Sequence, residues 1–212
     1  MRAVARNRPQ LNMLHLEHRL WRAGYTVVAG LDEAGRGALA GPVAVAAVVL
    51  PNDPRLTRHL GAVRDSKQLT AAQREFLAPL IRAHAHTWGI GAATSAEIDW
   101  LGIVAATRLA AARALEGLAV CPEFLVTDFR LELPELDTPQ VSLVRGDQQS
   151  MSIAAASILA KAWRDACMCD LDMEYQKYGF ARHKGYGTSL HRRALRRAGP
   201  SPVHRRSFAF RT

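Results

Sequence analysis

The chain has 212 residues, 49% of them hydrophobic, and a formal net charge of +9. That length suits one domain with at most a small appendage, and so apolar a chain can build a core, which excludes an intrinsically disordered protein. The positive balance favours a polyanionic partner, nucleic acid above all, over a charge that serves colloidal solubility alone. No apolar run is long enough to span a bilayer, and the Arg-rich start lacks the apolar stretch of a signal peptide.

In chain order, residues 1 to about 10 are expected to be disordered. "LNMLHLEHRLWRAGY" places apolar residues at 11, 14, 16, 20 and 21, a helical spacing ended by Gly24. "TVVAGL" (26–31) reads as a short strand and "GPVAVAAVVL" (41–50) as a fully buried one, closed by the turn residues "PNDP". "TAAQREFLAPLIRAHA" reads as an amphipathic helix with Thr70 as its N-cap. "HTWGIGAAT" follows as a third strand, then "SAEIDWLG" and "IVAATRLAAARALEGL" as two helices, the first opening at Ser95. "EFLVTD" and "QVSLVR" give the fourth and fifth strands. "MSIAAASILAKAWRDACMCDLDMEY" is a long Ala-rich helix, and "SLHRRALRRAG" a final basic helix stopped by Gly199. This order predicts an α/β fold, a sheet with helices packed on it.

Charge and cysteine usage add to this. Residues 189–212 carry seven Arg and no acid, and residues 1–26 carry five Arg and one Glu, so both ends read as arms for phosphate. The three cysteines, Cys121, Cys167 and Cys169, form no disulfide framework and fit a reducing cytoplasm. Cys167 and Cys169 stand two apart on a helix, where side chains diverge, which disfavours a zinc site.

Three apolar segments end in acid: Asp32–Glu33 after the first strand, Asp128 at the end of "FLVTD", and Asp147 just after "QVSLVR". If these strands are neighbours, the acids converge at one sheet edge, where ligand sites of open α/β sheets lie. Clustered carboxylates repel unless cations sit among them. Hard divalent ions prefer carboxylate oxygens, and a pair of them drives in-line attack on a phosphodiester. Taken singly, a strand-end Asp is more often a turn former or helix cap. Adjacent strand residues point to opposite faces, so Asp32 and Glu33 can share a site only if the chain leaves the sheet there or one lends its carbonyl. Directly after them, Gly35 and Gly37 flank Arg36, and glycine permits close backbone approach to a ligand. "KYGFARHKGYGT" mixes cations, aromatics and glycines, a combination suited to phosphates, sugars and bases.

The stretches "VAGLDEAGRGALAGPV", "DSKQLT", "LVTDFRL", "VRGDQQSMSIAAASILAKAWRD", "YGFARHKGYGT" and "HRRSFAF" together resemble the ribonuclease HII (type 2 ribonuclease H) family over about residues 27–210. The resemblance implies a ribonuclease H-like fold, with a central mixed five-stranded sheet flanked by helices and a C-terminal helical region. Residues 27–212 would form the catalytic domain, and residues 1–26 a basic extension with a short helix. It implies an endoribonuclease, expected as a cytoplasmic monomer, that cuts the RNA strand of RNA–DNA hybrids and nicks 5′ of ribonucleotides embedded in duplex DNA. Mg²⁺ or Mn²⁺, two ions in the active complex, would serve the reaction and leave 5′-phosphate and 3′-hydroxyl ends. Such an enzyme removes misincorporated ribonucleotides and RNA primers.

By the same resemblance the catalytic, metal-holding acids fall on Asp32, Glu33, Asp128 and Asp147. The turn that reads the 2′-hydroxyl falls on Gly35, Arg36 and Gly37. The junction-sensing tyrosine falls on Tyr186, with Lys184 beside it, and Ser66 and Lys67 match a loop expected to touch the DNA backbone. The chain departs from the family pattern at Ala38 (usually Pro), Phe129–Arg130 (usually Gly-Asn), Arg145 (usually Lys) and Phe210 (usually Pro). None of these removes an acid. A DNA-specific nuclease on the same fold would also cluster acids at strand ends, but it has no 2′-hydroxyl for the glycine-framed Arg36 to find. A non-catalytic hybrid-binding module would need no intact acid set.

Overall fold

A computed structural model of the chain describes residues 13–63, 69–129 and 131–208. The expected disorder of the first ten residues, and the DNA-backbone loop at Ser66 and Lys67, lie outside the described residues. Five strands form one mixed sheet in the order β3-β2-β1-β4-β5. They are β1 (Val28–Ala34), β2 (Val43–Val49), β3 (Thr87–Ala93), β4 (Phe124–Asp128) and β5 (Gln140–Leu143). β1 and β2 pair antiparallel, as do β2 and β3, whereas β1–β4 and β4–β5 are parallel.

The helices cover both faces. They are α1 (His15–Arg22), α2 (Leu56–Leu60), α3 (Ala71–His84), α4 (Ser95–Leu101), α5 (Ile103–Glu116), α6 (Met151–Glu174), α7 (Phe180–His183) and α8 (Ser189–Ala198). Alternation along β2 divides the core. Val43, Val45, Ala47 and Val49 face the small-residue stripe of α5 (Ala106, Ala110, Ala111, Ala114). Ala46 and Val48 face α6 and α3, among them Ile158, Leu159 and Ile81. Because both faces are covered, every β2 residue is buried and the strand reads in sequence as an unbroken apolar run.

The long helix α6 lies directly on β1. At Gly30 a side chain would run into the Ser152–Ile153 backbone, so only glycine permits this approach. The start of α6 is closed by the N-terminal segment. Glu17 of α1, only 1% exposed, accepts from the Ser150 hydroxyl at 2.6 Å, the Ser152 amide at 3.0 Å and the Ser152 hydroxyl at 2.7 Å. The Met13 carbonyl takes the Met151 amide at 2.8 Å. The N–H groups that a helix leaves unmet in its first turn thus find partners on α1, and a carboxylate sits at the positive end of the helix dipole.

Local signals place most elements. Thr70 caps α3 in a full capping box with Gln73, Gly24 follows α1 at φ +100°, and Gly199 ends α8 at φ +67°. α4 opens at Ser95 as expected, capped by Thr94 in a box with Glu97. Other elements depart from the sequence expectation. α2 and α7 are additions to it: both are short, and α7 falls within "KYGFARHKGYGT".

Candidate active site

β1 runs three residues beyond its last pairing with β4. Leu31 pairs Thr127, and thereafter Asp32, Glu33 and Ala34 pair only with β2, opposite Ala46, Val45 and Ala44. The doublet stays in the strand, so of the two expected ways for both acids to share a site, leaving the sheet is not the one taken. Its side toward β4 is open, and Asp32, Glu33 and Asp128 all line one cleft of about 400 Å³. The same lining includes Gly35, Arg36, Gly37 and Tyr186, with Arg74 of α3 and Ser157 and Lys161 of α6.

Each acid is set differently. Asp32 is 3% exposed, and its Oδ1 accepts the Glu33 amide at 2.7 Å. Burial first, then the Glu33 carboxylate, push the Asp32 carboxyl well above its usual range. Asp128 acts in the same direction, while hydrogen bonds from Ser157 and the Glu33 amide oppose it. Asp128 Oδ1 accepts the Gly146 amide at 2.7 Å, which ties the end of β4 to the 3-10 turn Gly146–Gln148. That turn carries Asp147, which is fully buried and does not line the cleft. The turn opens on Arg145 at φ 56°, a left-handed conformation costing roughly 1–2 kcal/mol for a residue with a Cβ.

The glycine turn is held from behind. Gly35 has φ +86°, and a side chain there would strike the Arg164 guanidinium. Arg164, fully buried, donates to Pro42 O at 2.8 Å, Lys184 O at 2.9 Å and Ala40 O at 3.1 Å. Arg205, also fully buried, donates to Gly41 O at 3.0 Å and Arg36 O at 2.9 Å. Burial, then repulsion from Arg164, lowers the Arg205 pKa to about 9. No described peptide bond is cis. With the Arg36 carbonyl turned to Arg205, the Gly37 N–H of the same trans peptide points the opposite way.

Tyr186 is half-buried, with Arg164 5.3 Å and Lys161 5.5 Å from its ring centroid. Lys184 is not in the cleft lining; its ammonium reaches the Asp165 carbonyl at 3.3 Å and Cys169 Sγ at 2.8 Å on α6. At the rim, Asp165 pairs with Lys161 at 2.6 Å and with Arg74 at 3.5 Å.

Sequence reasoning misses several of these groups. Ser157 and Lys161 stand four apart on α6, polar interruptions of an Ala-rich run, and that spacing alone puts them on one face. Arg164 and Arg205 carry no such signal. Arg205 belongs by composition to the basic tail, yet it is an internal strut rather than a surface charge.

The order and mixed directions of the sheet, its two helical layers and the acids at neighbouring strand ends define a ribonuclease H-like fold. Solved structures share it. The PCNA:RNase HII complex from Archaeoglobus fulgidus matches with TM-score 0.73 and 26% identity over 88% of this chain and 96% of that one. The ribonuclease H2 from Pyrococcus horikoshii OT3 matches with TM-score 0.67 and 25% identity over 87% and 94%. Bst-RNase HIII in complex with Mn²⁺, at 20% identity and TM-score 0.67, is alike in fold.

The ribonuclease HII family model matches residues 29–211. Ribonuclease HII of Desulfitobacterium hafniense (strain Y51) is 53% identical over 93% of this chain and 74% of its own length. That of Moorella thermoacetica is 50% identical over 98% and 99%. The chain therefore belongs to the ribonuclease HII family, endoribonucleases that cleave RNA in RNA–DNA hybrids. Among the described residues, no helix is long and apolar enough to cross a membrane.

Proposed function

We propose that this enzyme nicks duplex DNA 5′ of embedded ribonucleotides, besides hydrolysing the RNA strand of long hybrids, and so removes misincorporated ribonucleotides and RNA primers. The observation that supports this reading is that one cleft is lined both by three carboxylates and by the bare Gly35–Arg36–Gly37 turn with Tyr186.

The donor set fits hard divalent ions, Mg²⁺ or Mn²⁺. Asp32, Glu33 and Asp128 offer carboxylate oxygens, and burial first, then the neighbouring carboxylates, raise the Asp32 carboxyl, which a nearby cation would relieve. Among the described residues no three His, Cys, Asp or Glu stand ready as a closed metal cage. An ion that keeps several of its waters needs only part of its shell from protein. Asp147 completes the acid set from outside the cleft lining, coupled to Asp128 through the Gly146 amide. Two such ions, held by Asp32, Glu33, Asp128 and Asp147, would supply the charge for attack of water on the phosphodiester, which would leave 5′-phosphate and 3′-hydroxyl ends.

The chain's own groups do the rest. Ser157 holds the Asp32 carboxylate. The Gly37 amide, aimed by the Arg205 grip on the Arg36 carbonyl, is available to a ribose 2′-hydroxyl, the group that distinguishes RNA from DNA. Arg36 and Lys161 bring positive charge to the phosphates, and the Tyr186 ring packs on the deoxynucleotide that follows the ribonucleotide. A cleavage assay on three duplexes tests this: one embedded ribonucleotide, a long hybrid and plain DNA, each with Mg²⁺ and Mn²⁺. Metal-dependent cutting of the first two and none of the third is expected. Cleavage of the long hybrid alone would overturn the nicking activity.

A further inference from the structure

Beneath Tyr186 lies a cluster of histidines that the reaction as described does not use. His183, His191 and His204 are 7%, 0% and 1% exposed, stacked among Phe180 and Tyr178. Their hydrogen bonds fix which nitrogen carries each proton. The Ser201 backbone amide lies 2.9 Å from His204 Nδ1, with the Ser201 hydroxyl at 2.8 Å. A backbone amide can only donate, so His204 Nδ1 accepts and its proton sits on Nε2. His204 Nε2 is 3.0 Å from His191 Nε2, which must then accept. The remaining His191 proton is on Nδ1, 3.0 Å from the Tyr186 carbonyl. The protons therefore run one way, from Ser201 through two neutral imidazoles into the backbone of Tyr186. His183 adds a second anchor: its Nε2 lies 2.8 Å from the Tyr178 carbonyl, and its Nδ1 accepts the Gly185 amide at 3.3 Å. The Gly185 carbonyl in turn takes the Leu39 amide at 2.8 Å, which joins this loop to the glycine turn.

We infer that His191 and His204 are positioning residues that hold Tyr186 at the cleft through its backbone, and so set preference for a ribonucleotide–DNA junction over a long hybrid. The inference rests on reading Tyr186 as the junction contact. The held segment is not relaxed by itself. Lys184 at φ 51° is left-handed, a conformation that in a residue with a Cβ persists only where surrounding bonds impose it, whereas Gly185 at φ +80° adopts it freely. A charged anchor would also serve less well here: both ring nitrogens of a histidinium donate, and either added proton would meet a donor head-on. Burial keeps the pair neutral, lowering the pKa of His191 and of His204 to about 4.

The test is a ratio of two rates, nicking at one embedded ribonucleotide over cleavage of a long hybrid, each resolved into kcat and KM. His191→Leu is expected to lower that ratio about tenfold, the size of loss that removing one stacked aromatic produces. His191→Asn, whose amide donor occupies the place of Nδ1–H, should restore most of it. In a Tyr186→Ala background, His191→Leu should leave the ratio unchanged, because its effect passes through the same ring. Equal slowing of both substrates, no rescue by Asn, or an additive double variant would overturn the inference. A Tyr186→Ala variant with a wild-type ratio would instead overturn the reading of Tyr186 itself. Should His191→Leu not fold, imidazole ¹⁵N shifts of the wild-type protein decide the matter. They must show Nδ1–H at His191 and Nε2–H at His204; the opposite tautomers would break the relay.

Discussion

The cleft lining has two parts built on opposite principles, an acid wall and, on the proposed function, a reading wall. The acid wall stands on regular strands, and its side chains are the proposed working groups. It works against its own stability, since burial and the Glu33 carboxylate both oppose a charged Asp32. The reading wall is irregular backbone, with left-handed residues at Gly35, Lys184 and Gly185. It is held from beneath by Arg164, Arg205 and the histidines, which do not line the cleft. On the proposed function, chemistry is thus carried by side chains on a rigid frame, and recognition largely by backbone, which needs a hidden set of side chains to keep its shape. Substitutions should separate the two: on the acid wall they remove rate and add stability, and on the reading wall they remove both.

The largest effect belongs to the acid wall. Asp32→Asn or Asp128→Asn is expected to slow cleavage at least 100-fold, about 2.7 kcal/mol in barrier, while duplex binding stays within about twofold, because phosphate contacts carry most affinity. Asp32→Asn should also melt at a higher temperature than the wild type near neutral pH, since it removes a buried repelled charge. Retention of more than about a tenth of the wild-type rate would remove either residue from the reaction.

Next comes Gly35→Ala. The left-handed φ alone costs roughly 1–2 kcal/mol, and the new methyl group must displace the buried Arg164 guanidinium. A total near 2 kcal/mol lowers the melting temperature by roughly 4–8 °C for a domain of this size. Cleavage should fall with it, because Arg164 also holds the Lys184 carbonyl beside Tyr186. An unchanged melt with normal activity would show that the turn needs no such bracing.

The pH dependence of stability sets the walls against each other. His191 and His204, at about 4 when folded, bind fewer protons than in the unfolded chain between pH 4 and their ordinary 6.5. Their contribution is therefore full above pH 6.5 and is lost as pH falls toward 4. Asp32 has the opposite sign: its raised carboxyl keeps a proton that the unfolded chain has released, so its term costs stability as pH rises from 3.8 through the folded value. In Asp32→Asn the opposing term is gone, and the gain in melting temperature from pH 4 to 6.5 should be larger than in the wild type. Equal gains in the two proteins would deny the assigned shift.

The smallest effect tests the surface of the recognition side. Arg193, Arg196 and Arg197 on α8 are exposed, unlike Arg205. Replacing all three with Gln is expected to flatten the dependence of log affinity on log salt by about 0.9 for each phosphate that these arginines neutralise, without altering the melt. A slope identical to wild type would place the duplex elsewhere. Truncating residues 189–212 would not give this answer, because it also removes His191, His204 and Arg205.

What the sequence determined by itself was local. Periodicity marks the five strands and the long helix, Thr70 and the glycines at 24 and 199 mark caps and stops, and three apolar segments ending in acid announce a carboxylate site. Those signals survive because each depends on residues a few positions apart. Tertiary structure decided which acids face the cleft. Asp32 and Glu33 both line it, just beyond the last pairing of β1 with β4 at Leu31, which no pattern within β1 records, while Asp147 is buried outside its lining. It also decided what the charges are for. The N-terminal stretch reads as a basic arm, yet its single Glu17 is buried on the start of α6. The basic tail supplies Arg205 as an internal strut, and Lys184 turns from the cleft onto α6. Composition counts charges but not the side of the surface they occupy. Burial, and the carbonyls and amides waiting there, are set only when distant segments meet.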